Sequence, residues 1–168
     1  GPDLLAAVCE NGGKKGYLHF FYGGTSETLD LLQEKLKIKA PDLNVVGKIS
    51  PEFMPQARRA SKEIIESINQ ARPDILWVGL GSPKQDFWMS MHRGLLDVPV
   101  IIGVGAAFDF LSGVKPQAPV WMQRGGLEWA FRLWHEPRRL WRRYLIGNSV
   151  FVYYVCRQSF KDILRKIL

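Results

Sequence analysis

Two continuous apolar stretches, each ending in a Gly-x-Gly turn, constrain the fold of this chain more than any other feature. They read DILWVGLG at residues 74–81 and VPVIIGVG at residues 98–105. Successive side chains of a strand point to opposite faces, so a strand without polar alternation is covered on both faces, as in a parallel sheet flanked by helices. YLHFFYGG at 17–24 and LNVVGKI at 43–49 predict two further strands.

Helical segments alternate with these strands. The spacing predicts helices over residues 3–12, 25–37 and 56–71, the first stopped by Gly12 and the second capped by Thr25 or Ser26. This alternation through short glycine turns predicts an α/β domain with a doubly wound, mostly parallel, Rossmann-like sheet over residues 1–114. Ligands of such sheets bind beyond the carboxyl ends of the strands, a rim on which the glycines at 23–24, 79–81 and 103–105 are expected.

Charge divides the 168-residue chain into two parts. Residues 1–114 contain 12 Lys and Arg against 13 Asp and Glu, a net charge of −1, whereas residues 115–168 contain 11 against 3, a net charge of +8. The last third also carries four of the six tryptophans. A nearly neutral body with a basic, aromatic C-terminal appendage indicates an anionic partner, which can be phosphate, nucleic acid or a membrane surface.

The appendage over residues 115–168 is predicted to be helical, with breaks at Gly125, Pro137 and Gly147. A helical wheel of residues 138–145 places four arginines opposite an apolar side, so this segment is amphipathic. The apolar stretch that follows has 13 residues, and a span needs about 20, so we expect it to lie on a bilayer rather than to cross it. The residues expected at the membrane are Trp134, Arg138, Trp141 and Arg143.

The two Gly-x-Gly turns carry the first candidate chemistry. GLGSPK at 79–84 and GVGAAF at 103–108 each lack the third glycine of a dinucleotide-binding loop, so tight strand–helix turns are the commoner explanation. No acidic residue closes the second strand, where Lys48 and Ile49 stand, which further disfavours NAD binding. Helix N-termini beside such turns still attract phosphate, which leaves a nucleotide-shaped ligand as the alternative.

Polar residues follow both turns. Ser82 and Gln85 have the S-x-x-Q spacing of a helix capping box, and a binding-site role for Gln85 is the alternative. Asp109 is either a cap or first-turn acid of a helix, or an acceptor of hydrogen bonds from sugar hydroxyls. The sequence contains no P-loop, G-x-S-x-G or D-x-D motif, and its histidines and cysteines are not spaced as metal ligands. No metal or cofactor is predicted, and two distant cysteines indicate a reducing, cytoplasmic setting.

Three ordered segments resemble the WecG/TagA/CpsF family of bacterial glycosyltransferases. They are GLGSPKQDFW at 79–88, GVGAAFDFLSG at 103–113, and the stretch from AP at 118–119 through WMQRGGLEWAFRLWHEPRRLWRRYL at 121–145. The resemblance implies transfer of an N-acetylmannosamine-type sugar from a UDP donor to a polyprenyl-diphosphate-linked acceptor, in the synthesis of cell-envelope polysaccharide or teichoic acid. It further implies inversion at the anomeric carbon, no metal, and a peripheral location on the cytoplasmic face of the membrane.

The resemblance also assigns roles to residues. Gln85 and Asp109 match active-site positions of the family. The residues expected to contact the donor or a diphosphate are Gly23, Gly24, Gly81, Pro83, Lys84, Arg132, Arg139 and Arg142. The family's proposed general base is an aspartate upstream of the stretch matched at Gly1, so we expect the base, and further strands of the sheet, upstream of this chain.

The chain departs from the family pattern in the third motif. Gln117 stands where the family has Arg before the Ala-Pro of its third motif. An apolar sheet edge left uncovered would favour self-association into a homo-oligomer. The alternative function is a non-catalytic UDP- or anion-binding module at the membrane surface. Nucleic-acid binding by the basic appendage is the weakest reading, and no nucleic-acid partner is predicted.

Overall fold

The computed structural model describes residues 1–52 and 60–167, without the side chains of residues 139, 143–145 and 159–167. It divides into two compact units, Gly1–Pro116 and Gln117–Leu168. The elements of the first unit are α1 (Pro2–Lys14), β1 (Leu18–Gly23), α2 (Ser26–Lys39), β2 (Asn44–Ile49), α3 (Lys62–Ala71), β3 (Ile75–Gly79), α4 (Lys84–His92), β4 (Val100–Gly103) and α5 (Ala107–Ser112).

The four strands form one parallel sheet in the order β2-β1-β3-β4. Adjacent residues of a strand enter different cores, as the period of two requires. Phe21 and Trp77 pack with residues of α1, α2 and α5 on one face, whereas Phe20 and Leu76 pack with residues of α3 and α4 on the other. The sheet is therefore covered on both faces, and the predicted doubly wound α/β fold is confirmed.

α1 runs through the two glycines at which the sequence predicts its end. Gly12 and Gly13 are buried within the helix, which ends at Lys14. A Cβ on Gly13 would lie 2.9 Å from the carbonyl carbon of Asp42, and one on Gly12 would lie 3.0 Å from His19 Nε2. The predicted helix end is therefore wrong. These glycines serve packing instead, because they let neighbouring segments approach the helix closely.

Side-chain caps set where α2 and α3 begin. The Thr25 hydroxyl oxygen accepts a hydrogen bond from Thr28 N at 3.1 Å, which confirms the predicted cap of α2. α3 begins at Lys62, after the N-cap Ser61, so the predicted start at residue 56 lies outside the described residues and the predicted helical state of Ala60 is wrong. The Ala60 N–H instead donates to His92 Nε2 at 2.8 Å, which holds this residue outside the helix.

The second unit is helical. It contains α6 (Val120–Arg124), α7 (Glu128–His135), α8 (Pro137–Trp141), a π-helical segment (Arg142–Gly147) and α9 (Asn148–Ile167). The predicted breaks at Gly125 and Pro137 coincide with helix boundaries, but the break at Gly147 is wrong, because Asn148 keeps helical angles (φ −68°, ψ −38°). The predicted amphipathic helix over 138–145 is divided between α8 and the π-helical segment.

Candidate functional site

The carboxyl ends of β1, β3 and β4 form a rim that carries three pairs of glycines. The first glycine of each pair, Gly23, Gly79 or Gly103, has no room for a side chain. A Cβ on Gly23 would lie 2.6 Å from the Gly79 carbonyl group, and one on Gly79 would lie 2.4 Å from the Phe108 ring. One on Gly103 would lie 2.8 Å from Gln85 Nε2. The protein itself fills these spaces, so packing explains the first glycines, including the predicted ligand contact Gly23.

The second glycine of each pair is different. Gly24, Gly81 and Gly105 have φ values of +70°, +78° and +57°, a region that L side chains enter only with strain. A Cβ on Gly81 would meet nothing within 4 Å, and one on Gly105 would meet only Gln85 Oε1 at 3.8 Å. A Cβ on Gly24, by contrast, would lie 3.5 Å from the Thr28 side chain, which is ordinary contact. Gly81 and Gly105 therefore leave open backbone at the rim, where a ligand can approach closely.

Gln85 joins two of these turns. Its side-chain oxygen accepts a hydrogen bond from Gly105 N at 2.8 Å, which ties the first turn of α4 to the turn between β4 and α5. The predicted capping box is wrong: α4 has Pro83 at its N-cap without a side-chain cap, and the Ser82 hydroxyl donates to Asp86 at 3.1 Å. Gly105 N lies 20 residues away along the chain, and it has taken the place of the local cap as the partner of Gln85.

The other residues of this turn lie beside Gln85. Pro83 is exposed, and Lys84, the first residue of α4, is half-buried. The Gln85 N–H donates to the Gly81 carbonyl at 2.9 Å, so the open glycine is tied to the helix start. The predicted donor contacts Gly81, Pro83 and Lys84 thus form one continuous segment at the rim.

Asp109 lies in the first turn of α5, as one of its two sequence-based readings predicts. Its carboxylate pairs with the Lys115 ammonium at 2.8 Å, and its carbonyl accepts from Lys115 N at 3.0 Å. Gly113 in the left-handed conformation ends α5 and turns the chain back, which brings Lys115 to this place. The Asp109 side chain is 24% exposed, so it is oriented by the protein and still reachable from solvent.

The candidate arginines of the second unit have different surroundings. Arg132 pairs with Glu128 one turn earlier on α7. Arg138 and Arg142 are exposed, and the Arg142 guanidinium lies over the Trp141 ring, 5.3 Å from its centroid. The side chains of Arg139 and Arg143, both singled out from the sequence, lie outside the described part of the structure.

The second unit also exposes a large apolar surface. Trp134, predicted at the membrane, is 85% exposed, and Trp141 is 42% exposed. In α9 the six consecutive residues 150–155 are all exposed apolar or aromatic side chains, Phe151 at 68%. Among the helices that the structure describes, none is sufficiently long and apolar to span a bilayer.

A separate surface groove of about 570 Å³ lies between α4 and β4. Met89, Arg93 and Val100 are among the residues that line it, and neither Gln85 nor Asp109 is. We place the candidate site at the rim rather than in this groove, because Gln85 joins the two open glycine turns there and Asp109 follows in the first turn of α5.

Burial shifts the pKa values of groups at the rim and away from it, and it raises the pKa of Tyr22, the neighbour of the rim glycine Gly23. Burial raises the pKa of the Cys9 thiol to about 12, whereas Cys156 is exposed on α9. Burial lowers the pKa of His19, whose Nδ1 accepts from Trp77 Nε1 at 3.0 Å. Within residues 1–52 and 60–167, no group of three or more His, Cys, Asp and Glu side chains is arranged to hold a metal ion.

Sequence reasoning missed two residues of the rim. The sequence predicts Gly105 on the rim only as part of a turn, whereas in the structure its N–H donates to Gln85. In the sequence Lys115 is only one of the charges of the appendage, whereas in the structure its ammonium group orients Asp109. The Gly113 that follows α5 was the available signal, since a glycine at a helix end predicts a chain reversal.

Comparisons with known proteins identify the family of this chain. The model of the glycosyl transferase WecG/TagA/CpsF family matches residues 1–164. The chain is 32% identical over 145 residues to an N-acetylglucosaminyldiphosphoundecaprenol N-acetyl-beta-D-mannosaminyltransferase of Bacillus spizizenii. That match covers 86% of this chain and 54% of the relative, so the chain spans about half the relative's length. On these grounds the chain belongs to the WecG/TagA/CpsF family of glycosyl transferases.

Proposed function

We propose that this chain is part of an inverting glycosyltransferase that moves an N-acetylmannosamine-type sugar from a UDP-sugar to a polyprenyl-diphosphate-linked acceptor. In this reaction an acceptor hydroxyl oxygen attacks the anomeric carbon, the bond from that carbon to the UDP oxygen breaks, and the hydroxyl proton passes to a general base. UDP leaves with the bonding electron pair. The family membership and the name of the Bacillus spizizenii relative support the sugar and the acceptor. The general base is proposed to lie upstream of Gly1.

The rim of the first unit is the proposed donor site. The single observation that carries this assignment is the Gln85–Gly105 hydrogen bond of 2.8 Å, which fixes two open glycine turns against each other. Fixed turns with exposed backbone suit a diphosphate or a sugar, because no ordering cost is incurred on binding. Asp109, held by Lys115 at 2.8 Å, is proposed to accept hydrogen bonds from sugar hydroxyls.

The leaving diphosphate needs positive charge. Arg132, Arg139 and Arg142 of the second unit are proposed to bind a diphosphate, of the donor or of the acceptor, because guanidinium groups pair with phosphate oxygens through two parallel hydrogen bonds. Fixed cations that meet charge developing in the transition state can replace a metal ion. The reaction is accordingly proposed to need no metal.

The second unit is also the proposed membrane contact. Exposed Trp134 and the apolar residues 150–155 of α9 would enter the lipid interface, and the arginines would meet anionic headgroups. A polyprenyl-linked acceptor resides in the membrane, so the proposed location is peripheral, on the cytoplasmic face.

Calorimetric titration of the chain with UDP, ADP and NAD in EDTA tests the donor assignment. We expect UDP to bind and the other two nucleotides to bind at least about tenfold more weakly, a difference of about 1.4 kcal/mol. Asp109→Asn should weaken binding of the UDP-sugar, whereas Asp97→Asn, an exposed carboxylate before the amino end of β4, should not.

Two results would contradict the proposal. Equal binding of UDP and ADP would remove the uridine specificity, and loss of UDP binding in EDTA that Mg²⁺ restores would remove the metal independence. If the chain binds no nucleotide, the same titration on a protein extended to the full length of the relative decides whether the rim alone is insufficient or the assignment is wrong.

A further inference from the structure

The hydrogen bond between Gln85 and Gly105 fixes the orientation of the Gln85 amide. A backbone N–H can only donate, so the side-chain atom 2.8 Å from Gly105 N must be the carbonyl oxygen. An amide flipped the other way would place two donors against each other. The nitrogen Nε2 therefore stands at the other end of the amide.

Nε2 lies at the carboxyl end of β4. A Cβ on Gly103, the last residue of β4, would be 2.8 Å from this nitrogen. Gln85 is half-buried, and within the part of the chain that the structure describes its Nε2 makes no hydrogen bond to a protein group. Nor is Nε2 among the described side-chain atoms that are buried without a partner. It is thus a donor that solvent or a ligand can reach.

We propose that Gln85 works at both ends: its oxygen fixes the turn at Gly105, and its nitrogen donates a hydrogen bond to an acceptor oxygen of the bound sugar nucleotide. The amide nitrogen carries two hydrogens and accepts nothing, so the ligand group is a phosphate, carbonyl or hydroxyl oxygen. This inference rests on the proposed donor site and specifies the chemistry of one contact within it.

Gln85→Glu separates the two ends. A carboxylate has nearly the shape of the amide and still accepts from Gly105 N–H, but it offers no donor in place of Nε2. Gln70→Glu is the matched control, because it makes the same change in charge at the exposed C-terminal end of α3, shortly before the amino end of β3.

The experiment titrates each protein with UDP and with UDP-N-acetylmannosamine at about 50 mM and about 500 mM salt, since salt weakens charge repulsion through solvent and leaves a lost hydrogen bond unchanged. Hydrogen exchange of the Gly105 amide, measured by NMR, reports whether its hydrogen bond to the Gln85 side-chain oxygen persists. We expect Gln85→Glu to weaken binding at least about tenfold at both salt concentrations, with the Gly105 amide still protected and the control unchanged. Weakening with both ligands places the acceptor oxygen on UDP, whereas weakening with the sugar nucleotide alone places it on the sugar.

Three results would overturn the proposal. Wild-type affinity of Gln85→Glu would mean that only the oxygen end matters, and a difference that disappears at high salt would mean charge repulsion. Rapid exchange of the Gly105 amide in the wild-type chain would show that its hydrogen bond to the Gln85 oxygen does not fix the turn. If the wild-type chain binds neither ligand, the titrations are repeated on a protein extended to the full length of the relative, and absence of binding there overturns the donor site. The Gly105 exchange still shows separately whether the turn is fixed as described.

Discussion

The two units place their tryptophans in opposite environments: the first unit buries them and the second exposes them. In the first unit Trp77 and Trp88 are buried, at 0% and 2% exposure, and Trp88 stacks between Tyr22 and His92. In the second unit Trp121 and Trp134 are exposed at 66% and 85%. The first set stabilises the fold, whereas the second leaves apolar area in water that a partner could cover. The difference predicts that substitutions in the first unit change stability and that substitutions in the second change binding.

The strongest test of this contrast compares two tryptophans. Trp88→Ala should lower the free energy of unfolding by about 3–5 kcal/mol, because it leaves a cavity under the stacked rings. Trp134→Ala should change it by no more than about 0.5 kcal/mol. Urea unfolding of both variants measures these values, and similar losses for the two would break the contrast.

Gly79→Ala tests whether the rim of the first unit tolerates extra volume. The added Cβ would overlap the buried Phe108 ring at 2.4 Å, so we expect a loss of about 1–3 kcal/mol in unfolding free energy. Gly94→Ala is the control in the same unit, since nothing lies within 4 Å of its added Cβ. An unchanged midpoint of urea unfolding for Gly79→Ala would show that the rim repacks freely.

Vesicle binding tests whether the exposed aromatic side chains of the second unit contact a membrane. Trp134→Ala should reduce binding to vesicles containing anionic lipid about tenfold, the effect of losing roughly 1.5 kcal/mol of apolar burial. Tyr17→Ala removes an exposed aromatic ring of the first unit and should leave binding unchanged. Equal losses for both variants, measured by vesicle sedimentation, would argue against a membrane surface confined to the second unit.

The smallest effect concerns pH and His19. Burial lowers its pKa, and Asp74 opposes this with a smaller upward influence. The unfolded chain takes up the proton near pH 6.5, before the folded chain does, so stability is full above that pH and falls as pH decreases toward the folded-state pKa. The slope can reach at most about 1.4 kcal/mol per pH unit.

His19→Gln removes this titration while its side-chain oxygen can still accept from Trp77 Nε1. The pH dependence of unfolding should therefore be shallower in the variant between about pH 6.5 and pH 5. Identical slopes would show that His19 is protonated equally in the folded and unfolded chains.

The fold could be predicted from sequence because its signals are local and redundant. Four apolar runs, three of which end in glycines, predict a parallel sheet wherever the exact boundaries fall. The chain-reversing role of Gly113 and the cap at Thr25 depend on neighbours within a few residues, and such features are readable in a single sequence.

The errors have a common physical origin in contacts between distant residues. S-x-x-Q satisfies the local rule for a capping box, but Gly105 N, brought close by the sheet, binds Gln85 instead. Gly12 and Gly13 look like a helix stop, yet Asp42 and His19 need the space that they leave. No periodicity or propensity contains this information, because it arises only when the strands are in register.

The two cysteines differ in exposure, so that only one of them is accessible to a thiol reagent. Burial raises the pKa of the Cys9 thiol to about 12, so the thiol stays protonated at neutral pH, and its burial blocks reagents as well. Cys156 is exposed on α9, immediately after the apolar residues 150–155. A thiol-reactive dye should therefore attach at a single position without any substitution, and its emission would report when the start of α9 leaves water.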